Sequence, residues 1–248
     1  MKIEHLACWL LTSGIACAQN TENPLKNHFN PAFIQELDAT LFYSTIDILN
    51  LEFGLHKSTF NALLKSKNRN YQMGFDNYGY DLFNDAKFSI SSSQNLNGTT
   101  TLGLGINIHH LQIYGIEKHS SASFNLGLSY ITKHYRLYLF IENLLNNSYV
   151  ENDLESRFIL NGLYYWNTNL HSDLQLEESM HTGFHLKHRL SYNYQNYFNL
   201  CILQGFRPYE YGLRLGYKKG AFQWFSQYKK QAWAQTTGIG LIYTPIYE

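Results

Sequence analysis

The sequence predicts an all-β chain, an antiparallel up-and-down barrel of about 12 strands, or about 14 if an unpaired run near the start has a partner. Three observations carry that prediction. Long stretches alternate apolar and polar residues one by one. Tyr, present 20 times in 248 residues, recurs near the ends of those stretches with Trp (Tyr130, Tyr135, Trp166, Tyr192, Tyr197, Tyr217, Tyr243). The connections between them are tight and loose by turns.

The clearest unit is the hairpin from Ser121 to Leu144. Its first arm sets Ala122, Phe124, Leu126, Leu128 and Tyr130 against Ser123, Asn125, Gly127 and Ser129. Its second sets Tyr135, Leu137, Leu139 and Ile141 against Arg136, Tyr138, Phe140 and Glu142. Successive side chains of a strand point to opposite faces, so each arm has one apolar and one mostly polar face. Each arm is about ten residues, the length that crosses a bilayer as a tilted strand. A soluble sandwich also alternates, but its strands are commonly only about five or six residues long.

In chain order, residues 1–18 read as a signal peptide. Lys2 supplies the positive charge, Leu6 to Ala16 the apolar run, and Ala16-Cys17-Ala18 a cleavage site between Ala18 and Gln19. Lipidation at Cys17 competes with this, but Gly14 stands where a large aliphatic residue is usual. Cleavage leaves Cys201 alone, so no internal disulfide and no cysteine-based metal site can form. Residues 19–36, with Asn30-Pro31-Ala32, form an N-terminal periplasmic or plug segment, and residues 37–248 the barrel. No later stretch approaches the roughly 18 apolar residues of a membrane helix. Lys+Arg and Asp+Glu balance at 19 each, so there is no basic field to attract nucleic acid.

Leu37 to Ser44 is a weak strand. Leu49, Leu51, Phe53 and Leu55, alternating with Asn50, Glu52 and Gly54, form a strong one. Ser58 to Phe83 shows no alternation and is rich in Asn, Gly and Tyr, which predicts an outer loop or lumen plug. Lys87 to Gln94 turns at Asn97-Gly98 into Thr100 to His109, a strong hairpin signal. After the Ser121 hairpin come Arg157–Trp166 with Asn169–Glu177, Gly183–Tyr192 with Tyr197–Phe206, Tyr211–Tyr217 with Ala221–Tyr228, and Thr237–Tyr243. Tight turns (95–98, 132–134, 167–168, 193–196, 218–220) alternate with looser links (110–120, 145–156, 178–182, 207–210, 229–236). Short periplasmic turns and longer external loops would produce that alternation, and parity then puts both termini in the periplasm.

The polar face would line the lumen with Glu52, Arg136, Glu142, Asp173, Lys187, Arg189 and Arg214, beside His56, Asn107, His109 and His171. Such mixed charge either selects solutes in a channel or interlocks as ion pairs in a filled barrel. Tyr138 and Phe140 also point inward and favour filling. Catalytic signals are thin. His119-Ser120-Ser121 has the H-x-S arrangement of membrane acyl hydrolases but no acidic partner, so no enzyme is expected. His109-His110 and the set His181, His185, His188 do not converge on one strand face, so neither a metal nor a cofactor is expected. Gly103, Gly105 and Gly127 alternate within strands, where small residues allow curvature or a close neighbour.

The Asn30-Pro31-Ala32 segment, SASFNLGLSY followed by YRLYLFIENLLN, and the late YGLRLGYKKG hairpin resemble the small outer-membrane barrels of Bacteroidota. These are the PorV/PorQ branch, related to the fatty-acid transporter FadL, and the PorP/SprF branch, both associated with type IX secretion. The resemblance implies an outer-membrane location in a Gram-negative cell. Its partners would be outer-membrane lipid and other envelope or secretion proteins, with no nucleic acid. Its leading implication is a non-enzymatic accessory or scaffold barrel of a type IX secretion or gliding assembly. The alternative is a FadL-like passive channel for small or hydrophobic solutes, with 58–83 and Asn30-Pro31-Ala32 as gate or plug. An acyl hydrolase using His119 and Ser121 is the remote third.

Overall fold

A computed structural model describes residues 30–36, 40–50, 54–66, 69–115, 118–144, 156–179, 183–195, 197–206, 209–231 and 235–245. A short 3-10 turn, η1 (Pro31–Glu36), precedes β1 (Leu41–Asn50), β2 (Leu55–Leu64), β3 (Arg69–Tyr80), β4 (Phe83–Asn95) and β5 (Thr100–Ile113). Then come β6 (His119–Ile131), β7 (Tyr135–Glu142), β8 (Arg157–Tyr165), β9 (Leu170–Ser179) and β10 (Gly183–Tyr194). β11 (Phe198–Phe206), β12 (Glu210–Lys219), β13 (Phe222–Gln231) and β14 (Gln235–Tyr243) complete the series. Every strand pairs antiparallel with its sequence neighbours, and β1 pairs with β14 over Phe42–Ile48 and Thr237–Tyr243, so the 14-strand sheet closes. The strand count sits at the upper of the two expected values.

The additional pair lies where a loop or plug was expected. Ser58 to Phe83 is mostly β2 and β3. In β3, Asn70, Gln72, Gly74 and Asp76 are buried in alternation with exposed Tyr71, Met73, Phe75 and an intermediate Asn77. The alternation runs from Arg69 to Asp76, but its inward residues are amides, glycine and an aspartate, close to the composition of a turn. β1 ends at Asn50 and β2 begins at Leu55, so the strand read across Leu49–Leu55 is divided by a connection that holds Gly54 at φ 66°. Loop lengths are corrected too. Connections at the end carrying the termini have two to four residues, and those at the opposite end two to five, except for 143–156. The looser links had been overestimated because the strands run on into them. The signal peptide, with Ala18 and Gln19, and the site residue Glu52 lie outside the described residues.

Outside, the barrel carries Ile46, Phe60, Phe75, Ile106, Leu174, Ile202 and Leu215 among many exposed apolar side chains. An apolar surface of that extent around a closed sheet fits lipid rather than water. Aromatic rings collect near the terminus end: Phe42 stacks on Tyr243, Phe222 meets Tyr243 and Trp224, Tyr130 meets Tyr135, and Tyr164 meets Trp166. This is the girdle that rings form at a membrane interface.

Inside that same end sits η1. Asn30 caps it: its Oδ1 accepts from the Ala32 N–H at 3.0 Å, and its carbonyl from the Phe33 N–H at 3.2 Å. Pro31 fills the first helical position, where no N–H is needed. Gly103 on β5 and Gly127 on β6 are direct register partners. A Cβ on Gly103 would overlap the backbone of Pro31 and Ala32, and one on Gly127 would overlap the Asn30 side chain. The paired glycines therefore form a trough in the wall that accepts backbone. Phe33 and Ile34 then pack with Leu41, Tyr43, Leu63, Tyr138, Leu163, Phe225 and Ile242. Asn70 donates to the Ile34 carbonyl at 3.0 Å.

Replacing Gly127 by Val should expel Asn30 and cost about 1–3 kcal/mol, the usual cost of overpacking. The readouts are a lower melting temperature of the folded barrel and new protease cleavage around 30–36. Gly162→Ala is the control, since its Cβ would meet Leu137 at an ordinary 3.6 Å.

Candidate functional site

Above the η1 layer the lumen turns from apolar to charged. The inward positions of neighbouring strands come into direct register, so opposite charges meet across the ladder. Asp76 lies opposite Lys87, Glu142 opposite Arg157, and Asp173 opposite Arg189. Lys87 Nζ is 3.6 Å from Asp76 and 3.9 Å from Glu142. Lys87 belongs to β4 and Glu142 to β7, with β5 and β6 between them, so this contact crosses the lumen as a chord. Arg157 continues the chain to Glu142 at 3.0 Å and to Glu177 at 3.5 Å, and Lys187 meets Glu177 at 3.0 Å. Asp173, almost fully buried, accepts from Arg189 at 2.9 Å and from Asn161 at 2.6 Å. Arg189 also donates to Gln175 at 3.1 Å, and Thr59 to Asp76 at 2.7 Å.

The wall opposite the chord is looser. There β1, β2 and β10–β14 border a cavity of about 370 Å³. Glu210 and Lys229, on the adjacent strands β12 and β13, pair in its wall at 2.6 Å, and Gln227 donates to Asp47 at 2.6 Å. Arg214 lies over the Phe225 ring at 5.2 Å; on the chord's own side, Arg136 of β7 lies over Tyr165 at 5.0 Å.

Of the residues singled out from the sequence, Glu142, Asp173, Lys187 and Arg189 thus sit in the ion-pair network. Arg136 and Arg214 lie on aromatic rings, and Glu52 is outside the described residues. Six charged members of the network went unrecognised. Asp76 lies in the 58–83 stretch whose composition predicts a loop, and Glu210 and Lys229 lie in the 207–210 and 229–236 links. Lys87, Arg157 and Glu177 stood at strand boundaries. Continuing the period-2 count across those boundaries would have found them. His109 contacts Ser123 at 3.3 Å and His110 contacts Ser120 at 2.9 Å. Among the described residues, Ser121 has no hydrogen bond to His119 and no carboxylate partner, so the H-x-S triplet is not assembled. The described residues include no group of three or more His, Cys, Asp or Glu placed to hold a metal ion.

The depth of each pair sets its worth. The Asp173 side chain is 2% exposed and that of Arg189 17%, whereas Arg157 is 43% exposed. Asp173→Asn, which strands Arg189, should destabilise the barrel by on the order of 3 kcal/mol. Arg157→Gln should cost less than about 1 kcal/mol. Urea unfolding of the two variants in the same detergent would show the difference.

No protein-family model matches the chain, and no curated protein matches it. Solved structures do. A Pseudomonas aeruginosa FadL homologue superposes with a TM-score of 0.69 at 10% identity over 92% of this chain and 94% of that one. The CymD monoaromatic hydrocarbon channel gives 0.62 at 9% identity over 95% and 96%. The KdgM porin in complex with disordered oligogalacturonate gives 0.50 at 10% identity over 83% and 99%. At such identities the likeness is one of fold, and the fold is that of FadL-type and porin barrels.

Proposed function

We propose that the protein is an outer-membrane channel of FadL-like architecture for small or hydrophobic solutes, with both termini in the periplasm and the 30–36 segment closing the periplasmic end. One observation carries this. The terminus end is closed by a separate segment seated on Gly103 and Gly127, with the polar cavity of the lumen beyond it. A separable closure suits a conduit that opens when the segment moves. The likeness in fold to a FadL homologue and to a hydrocarbon channel supports the same reading. The same likeness favours transport over catalysis.

The scaffold reading, within a type IX secretion or gliding assembly of a Bacteroidota cell, has one observation in its favour: the Lys87–Glu142 chord and η1 together hold the lumen narrow. Reconstitution into planar bilayers separates the two. The wild type should conduct weakly, and deletion of 30–36 or Phe33→Ala with Ile34→Ala should raise conductance or solute flux several-fold. No flux from any of them, with envelope proteins recovered on affinity purification, would establish the scaffold instead.

Export through a cleaved signal peptide predicts that the mature chain begins at Gln19. N-terminal sequencing of the membrane-extracted protein checks this, and an acylated Cys17 would replace it.

A further inference from the structure

Arg214 differs from the other cations that line its cavity and are paired there. Arg189 is neutralised by Asp173, Lys187 by Glu177, and Lys229 by Glu210. Among the described residues no carboxylate lies within 4.0 Å of the Arg214 guanidinium, whose contact is the Phe225 face. A guanidinium withdrawn from bulk water without a counter-charge is costly, and its planar fork matches a carboxylate in two parallel hydrogen bonds. The Phe225 ring covers the guanidinium on one side, and Arg214 itself lines the cavity.

The rest of the cavity tells what such an anion would carry. Gln227, Gln231, Thr236, Asp47 and Glu210 give it amide, hydroxyl and carboxylate groups, which suit hydroxyls as donors and acceptors in turn. Leu49, Cys201 and Leu203 also line it, but the charged and amide side chains interrupt them, which disfavours a long acyl chain. At about 370 Å³ the space is at the small end of ligand pockets, about 300–1,000 Å³. We propose that this cavity binds a compact polyhydroxylated carboxylate, of the sugar-acid class, anchored on Arg214. The proposal rests on the channel reading for its purpose, naming the solute class, but the binding site itself does not.

The test is equilibrium binding by titration calorimetry on the full mature barrel in detergent, with three probes: D-glucuronate, D-glucose and palmitate. Glucuronate should bind at least ten-fold more tightly than glucose, which differs at the carboxylate. Arg214→Gln should lose at least ten-fold for glucuronate and leave glucose unchanged, while Arg214→Lys should recover part of the loss. Retained heat-modifiable mobility on gels marks the variants as folded. If both variants are misfolded, competition decides: on the wild type, glucuronate binding must fall as chloride is replaced by formate at constant ionic strength, because formate competes for the fork. Equal binding of glucuronate and glucose, no binding of glucuronate, or displacement of glucuronate by palmitate at comparable concentration each overturns the assignment. Because binding is read without flux, a barrel that binds glucuronate but never conducts sinks the channel reading alone.

Discussion

Fourteen strands enclose more space than the wall's own side chains fill, since about eight strands already give an interior that side chains just fill. What closes this barrel at one end is backbone laid against backbone. The Asn30-Pro31-Ala32 turn reaches the wall because Gly103 and Gly127, partners across β5 and β6, offer no Cβ to obstruct it. Ala32 is wholly buried there, and a larger side chain at either glycine would collide with that turn. The apolar layer of Phe33, Ile34, Tyr43 and Tyr138 exists because η1 is held at that depth.

That layer also determines where charge can go. Beside it the inward polar groups are amides and a phenol bonded to one another: Gln72 donates to Asn61 at 2.6 Å, and Asn61 to Tyr43 at 3.1 Å. Above it Asp, Glu, Lys and Arg face inward, three pairs of them in direct register with the opposite charge and the others meeting diagonally. The alternation of sign along Asp76, Lys87, Glu142, Arg157, Glu177 and Lys187 gives most carboxylates two cationic neighbours. Such a chain is self-neutralising, which is how a lumen tolerates many charges in little water. On the far wall the neutralisation is incomplete, and the cavity lies there.

Legibility followed the strength of the local pattern. Strands whose outward residues are Leu and Ile, such as β5 and β6, could be read with their faces assigned. β3 could not, although its outward Tyr71, Met73 and Phe75 alternate perfectly, because Asn, Gly and Gln between them match turn composition. The glycines of β5 and β6 were recognisable as marking curvature or a close approach. What approached them lay some seventy to a hundred residues earlier, by count from Ala32 to Gly103 and Gly127, and no local signal links the two.

The sequence by itself determined the class of fold, the outward lipid-like face and about half of the inward charges, because a strand's period of two is a local property of the backbone. Tertiary structure alone decided which inward charges meet. The Lys87–Glu142 chord depends on barrel closure and curvature, and the seat of η1 on register between β5 and β6. Arg214 looks in the sequence like any other lumen arginine. Only the closed barrel shows that its neighbours are an aromatic ring and a cavity rather than a carboxylate, because pairing is a matter of distance in space.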